Sequence, residues 1–209
     1  MLSVKICGIT RLEDALAAAE EGASAVGFIF VPSSPRRIET GAAAAIIRAL
    51  PPFVTPVGVF VNAPRETVVR TIDATGIRCL QLHGDEPPGD TAGYPLPVIK
   101  AFRVGEGFDP AVMDAYSVQA CLLDASVPGM LGGTGRTFDW EIARRAARSR
   151  RIILSGGITP ANAARAVAEV RPYAIDLSSG VESAPGIKER SKIRDLFESL
   201  RAAGTPAQP

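Results

Sequence analysis

One histidine and three cysteines are all the soft metal ligands that 209 residues offer. The cysteines, Cys7, Cys79 and Cys121, form no CxxC pair, and with a lone His83 they make no zinc set, so no metal is expected. Three widely spaced, unpaired thiols fit a reducing compartment better than a disulfide framework. Net charge is scarce too. Lys+Arg 23 against Asp+Glu 22 leaves +1, with no basic surplus for tracking a phosphate backbone, so nucleic acid is not an expected partner. No apolar run approaches the ~18 residues that span a bilayer. The opening MLSVKICGIT carries no charged-then-apolar leader. These absences predict a cytoplasmic protein with no membrane partner.

What is present suits one sizeable globular unit. Hydrophobic residues make up 46% and charged residues 22%, far from the composition of a disordered chain. A chain of this length buries roughly 70% of its unfolded surface on folding. Eight short apolar runs occupy 3–7, 25–30, 55–61, 78–83, 97–102, 119–124, 151–155 and 173–177. They are rich in Val, Ile, Leu and Phe and only about six residues long, which suits buried parallel strands. Helical patterns lie between most of them, at 12–21, 39–50, 64–74, 137–149, 160–170 and 187–203, with weaker ones at 85–92 and 109–116. Strand then helix, eight times over, predicts a single α/β domain built as a closed (β/α)8 TIM barrel over 1–203, with a frayed tail at 204–209. A doubly wound open sheet is the alternative. It calls for a Gly-rich nucleotide fingerprint after the first strand, and CGIT is not one.

In such a barrel, function sits at the carboxyl ends of the strands, and the polar residues of this chain collect there. The first run ends in Cys7-Gly8, the fourth in Gln81-Leu82-His83-Gly84 and the sixth in Asp124. The seventh ends in Ser155-Gly156-Gly157 and the eighth in Asp176-Leu177-Ser178-Ser179-Gly180. Alternation along a strand puts Lys5 on the face of Cys7, Gln81 on that of His83, and Asp176 on that of Ser178. If these faces point into the mouth, a thiol, a lysine and two carboxylates converge near the axis. Glycine lets a backbone approach a ligand, and the loops after strands seven and eight commonly hold a phosphate. Gly156, Gly157, Ser178, Ser179 and Gly180 are therefore the candidate phosphate site.

Taken together, VKICGIT at 4–10, AVGFIF at 25–30, SPRRI at 34–38, VGVFVN at 57–62, QLHGDE at 81–86, LLDA at 122–125, GGTGRTFDW at 132–140, LSGGI at 154–158 and DLSSGVESAPGIK at 176–188 resemble the phosphoribosylanthranilate isomerase family along nearly the whole chain. One departure is Glu189, where the family pattern usually carries Asp. The resemblance implies an Amadori rearrangement of a phosphosugar-anthranilate, an aminoaldose phosphate becoming an aminoketose phosphate, with no cofactor. It also implies Cys7 as base, Asp124 as acid, and Arg36 as the partner of the anthranilate carboxylate. His83 is expected to line the pocket, and Asp176 either to meet a substrate hydroxyl or to organise Lys5. Lys5 itself either favours the Cys7 thiolate or pairs with Asp176, and the two roles are compatible. Cys79 and Cys121 are expected to be packing residues, and Trp140 and Phe138 to hold a helix on the barrel. The runner-up enzyme is a phosphosugar isomerase acting on an aminoimidazole ribotide; such enzymes use paired aspartates where this chain has Cys7. A non-catalytic phosphometabolite-binding barrel is the reading from another class. The partner is expected to be a small molecule, and the chain a monomer or homodimer.

Overall fold

The computed structural model describes residues 2–125 and 139–204. Eight parallel strands close into one barrel in chain order: β1 (Ser3–Cys7), β2 (Ala25–Ile29), β3 (Thr55–Phe60), β4 (Cys79–Leu82), β5 (Val98–Val104), β6 (Ala120–Ala125), β7 (Ile152–Leu154) and β8 (Ala174–Leu177). The seam is the β1–β8 pairing, in which Lys5 lies opposite Asp176. The helices described are α1 (Leu12–Glu21), α2 (Thr40–Ala49), α3 (Arg65–Thr75), α4 (Trp140–Ala146), α5 (Ala163–Val170) and α6 (Arg190–Ala202). Each strand alternates between two cores. Val57, Ile99, Ala101, Leu122, Ile153 and Ala174 fill the interior. Ile6, Phe28, Leu123, Leu154 and Ile175 face the helical shell.

Four expected segments differ in the structure. The segments 85–92 and 109–116 contain single 3-10 turns, at Pro88–Thr91 and Pro110–Ala115, rather than α-helices. Pro87, Pro88 and Gly89 deny the first of them an amide hydrogen and helical propensity. The expected helix over 187–203 starts only at Arg190, because Ile187–Lys188 (β10) pairs antiparallel with Glu182–Ala184 (β9). Gly186, at φ 81°, makes the turn between them. The helix expected at 160–170 begins at Ala163.

Trp140 is buried against the shell, with the Arg165 guanidinium 5.0 Å from its ring centroid. Phe138, most of the GGTGRTFDW motif and the expected tail after Gly204 lie outside the described residues. Cys121 packs in the shell and Cys79 against the interior. Burial pushes the Cys79 thiol up to about 11, so it is an inert packing group.

Glu189 sits at the N-cap of α6, yet its side chain makes no cap and pairs instead with Lys192 at 2.8 Å. Aspartate is among the best N-caps because its short arm reaches the first free amides. Glu189→Asp is therefore expected to raise the melting temperature by about 2–4 °C, read by thermal circular dichroism.

Candidate active site

The mouth is built around the barrel seam. Lys5 Nζ donates to Asp176 Oδ1 at 2.8 Å, with both side chains buried. Cys7, two residues on, shares the face of Lys5 and lies opposite Gly27 of β2. A Cβ on Gly27 would come within 2.7 Å of Cys7 Sγ and 3.1 Å of Lys5 Nζ. Glycine here makes room for a lysine and a thiol side by side inside the barrel. Burial resists the Lys5 charge, but the Asp176 carboxylate and Cys7 outweigh it, and the ammonium is held above its usual range. For Cys7, burial is the largest effect and pushes the thiol up. Lys5 pulls it down, Asp176 pushes it up again, and Lys188 pulls down more weakly. The pairing of Lys5 with Asp176, one of its two expected roles, is present in the geometry. Its pull on Cys7 is real but smaller than the cost of burial, so the thiol remains above its ordinary value.

Asp124 is the penultimate residue of β6 and faces His83, whose Nε2 lies 3.3 Å from Asp124 Oδ2. Gln81 Nε2 stands 2.8 Å from His83 Nδ1. An amide hydrogen donated to Nδ1 leaves the imidazole hydrogen on Nε2, the nitrogen nearer Asp124. Asp124 and Asp176 line one small cavity, of about 30 Å³, together with the segments 155–158 and 176–180. The residues expected to form a phosphate site are therefore together, at the expected strand ends. Gly156 and Gly157 both take left-handed backbone, at φ 79° and 69°. Their N–H groups have no acceptor among the described residues, which leaves donors for an anion. Two of the glycines also have a packing reason. A Cβ on Gly156 would strike Ala125 N at 2.4 Å, and one on Gly180 would strike Ile158 O at 2.1 Å. Loops seven and eight interlock where side chains are missing.

Arg36 arrives from the loop after β2, its Cδ within 2.8 Å of where a Gly8 Cβ would stand. Its Nε and Nη2 grip Glu182, at 2.9 and 2.7 Å. Lys188 Nζ binds the same carboxylate at 2.7 Å. Glu182 and Lys188 are site residues that sequence reasoning missed. The available signal was their place in the DLSSGVESAPGIK match, immediately after the candidate phosphate loop. Missed as well was a buried pair on the other side of the mouth, where Lys100 Nζ meets Glu86 at 3.1 Å and the Gly84 carbonyl at 2.8 Å. Glu86 in turn accepts from Asn62 N and Gly84 N, pinning the loops after β3 and β4. No cluster of three or more metal-binding side chains occurs among the described residues.

The family model for N-(5'-phosphoribosyl)anthranilate (PRA) isomerase matches residues 4–199. This chain belongs to that family. An N-(5'-phosphoribosyl)anthranilate isomerase of Pelobacter propionicus is 52% identical over 197 residues, covering 94% of each chain. The crystal structure of phosphoribosyl anthranilate isomerase from Thermus thermophilus superposes with a TM-score of 0.88 at 48% identity, covering 96% of this chain and 99% of that one. A structure of the isomerase in complex with reduced 1-(o-carboxyphenylamino)-1-deoxyribulose 5-phosphate superposes with a TM-score of 0.83 at 38% identity, over 97% of this chain and 100% of that one. The TIM-barrel reading of the sequence agrees with these structures.

The seam gives a prediction with opposite signs. Lys5→Met removes a cation beside Cys7 and leaves Asp176, so the thiol should titrate at higher pH. Asp176→Asn removes the anion and leaves Lys5, so the thiol should titrate at lower pH. Alkylation of Cys7 by iodoacetamide at pH 8, followed by mass spectrometry, should slow in the first variant and quicken in the second, by roughly tenfold for each pH unit of change. Movement of both variants in the same direction contradicts the arrangement.

Proposed function

We propose that this chain catalyses the Amadori rearrangement of N-(5-phosphoribosyl)anthranilate to 1-(2-carboxyphenylamino)-1-deoxyribulose 5-phosphate in tryptophan biosynthesis, with Asp124 as acid and Cys7 as base. The observation that carries it is the placement of Asp124 and Asp176 around one cavity, with Asp176 bridged through Lys5 to Cys7. Family membership supports the reaction.

The chemistry is a sequence of proton transfers. A proton from Asp124 to the furanose ring oxygen opens the ring to a cationic Schiff base. Cys7 thiolate removes the C2′ proton and leaves an enol-amine. C1′ then takes a proton and the enol oxygen gives one up, so the substrate loses and gains protons in equal number. Return of the Cys7 proton to C1′ and of the enol proton to Asp124 resets both groups. The raised thiol fits this order. A thiolate of a less acidic thiol is the stronger base, and the cationic Schiff base favours its formation at the step that needs it.

The ligand carries an anion at each end. Gly156, Gly157, Ser178, Ser179 and Gly180 take the phosphate, on amides and a Ser178 hydroxyl that have no hydrogen-bond partner among the described residues. Arg36 takes the anthranilate carboxylate through the guanidinium edge that Glu182 leaves open. His83 lines the pocket next to Asp124, and Asp176 organises Lys5.

The test follows the loss of anthranilate fluorescence with freshly generated phosphoribosylanthranilate. Wild type should consume it, while Cys7→Ala and Asp124→Asn should each lose at least about 10²-fold in kcat. Asp124→Asn should still bind a product analogue. Arg36→Lys should raise KM about tenfold by giving up the planar fork. An inactive wild type overturns the assignment of function, and an active Asp124→Asn overturns that of the acid.

A further inference from the structure

Glu182 is buried at the start of β9, yet it is not in contact with the cavity lined by Asp124 and Asp176. It is the most heavily used carboxylate of this region. Oε1 accepts from Arg36 Nε at 2.9 Å, Lys188 Nζ at 2.7 Å and Gly186 N at 3.2 Å. Oε2 accepts from Arg36 Nη2 at 2.7 Å and Nε at 3.1 Å. Lys188 Nζ also reaches the Ser178 carbonyl, at 3.3 Å. One carboxylate thus serves two cations, the buried Lys188 and the half-buried Arg36, and the group keeps one formal unit of positive charge.

The fork has a direction. Glu182 occupies the Nε–Nη2 edge of the guanidinium, which leaves the terminal Nη1–Nη2 edge for any second carboxylate. The arginine stem is confined as well, because it crosses Gly8 where no side chain stands. A free arginine samples many rotamers and loses that freedom on binding. Here the freedom is already spent against Glu182. Through Lys188 and the Ser178 carbonyl, the same carboxylate ties the guanidinium to the loop at the phosphate end.

We propose that Glu182 is the positioning residue for the anthranilate end of the ligand: it orients Arg36 so that only the terminal guanidinium edge faces the substrate carboxylate, and links it through Lys188 to the loop at Ser178. The proposal rests on the reading of function above. A bystander that merely stabilises the β9–β10 hairpin has different consequences, because losing it disturbs both ends of the ligand alike.

The experiment compares Glu182→Gln with wild type on phosphoribosylanthranilate, and uses ribulose 5-phosphate, which has the phosphate but no aromatic acid, as a competitive inhibitor. KM should rise about tenfold with kcat within about threefold, while the inhibition constant of ribulose 5-phosphate stays within about twofold. In an Arg36→Met background the Glu182→Gln change should add less than about twofold to KM, since the residue it positions is gone. Glu182→Asp keeps the charge but withdraws the fork by one methylene, and should show the same KM shift in case the Gln variant does not fold. Equal losses for both ligands, additive losses in the Arg36→Met background, or a wild-type KM in Glu182→Asp each overturn the proposal. All of these readings require an active wild type, so failure of the functional assignment shows first and separately.

Discussion

A buried ammonium on the first strand has to be neutralised by the eighth, and that demand organises the mouth of the barrel. Lys5 and Asp176 lie opposite each other in the pairing that closes the sheet. Removing either partner strands a charge in the interior, at a cost on the order of 3–5 kcal/mol. A pair of apolar residues could close the seam as well, because desolvation takes back most of what the Coulomb attraction gives. The ion pair accounts for something that packing does not. It sets a fixed cation and a fixed anion beside Cys7, and the thiol's acidity follows from the balance between them and burial. Gly27 on the neighbouring strand is part of the same constraint, since any larger residue would displace the sulfur.

A net charge of +1 cannot attract a ligand with two anionic ends from afar. The positive charge is instead concentrated locally and held rigid. Arg36 and Lys188 share Glu182 on one side of the mouth, and Lys100 is locked to Glu86 on another. Burial works against the Lys188 ammonium and pulls it below the usual lysine range, although Glu182 restrains the drop. The Glu182 carboxyl is held below its usual range despite burial, because Arg36 and Lys188 both favour the anion. The hydrogen bonds of Glu182 to Arg36 and Lys188 hold the group together within the protein itself.

The barrel was legible in the sequence because eight buried parallel strands leave eight dense apolar runs, and because a polar residue at a strand's carboxyl end breaks that pattern visibly. Cys7, Asp124 and Asp176 stand out for that reason. Glu182 does not. It lies in a largely polar stretch, and its partner Arg36 is 146 residues away, so nothing local marks it as buried. Gly27 was hidden in the opposite way, as one small residue inside an apolar run whose need for space comes from another strand. The crossovers after β4 and β5 were misread because 3-10 turns and short helices share capping residues and periodicity over one turn. Asp109 does accept from Ala111 N, as a helix cap does.

The two groups proposed for proton transfer have neighbours of different kinds. A base that must become an anion benefits from cations, and Cys7 has Lys5 and Lys188 acting on it. Among the described residues, the charged-group partner of the Asp124 side chain is His83, at 3.3 Å, an imidazole beside the neutral amide of Gln81. Arg103 lies next to Asp124 in the strand register. Its guanidinium turns outward to Asp85, at 3.1 Å. The loop carboxylate of Asp85 thereby gives the Arg103 charge a partner of its own at the rim.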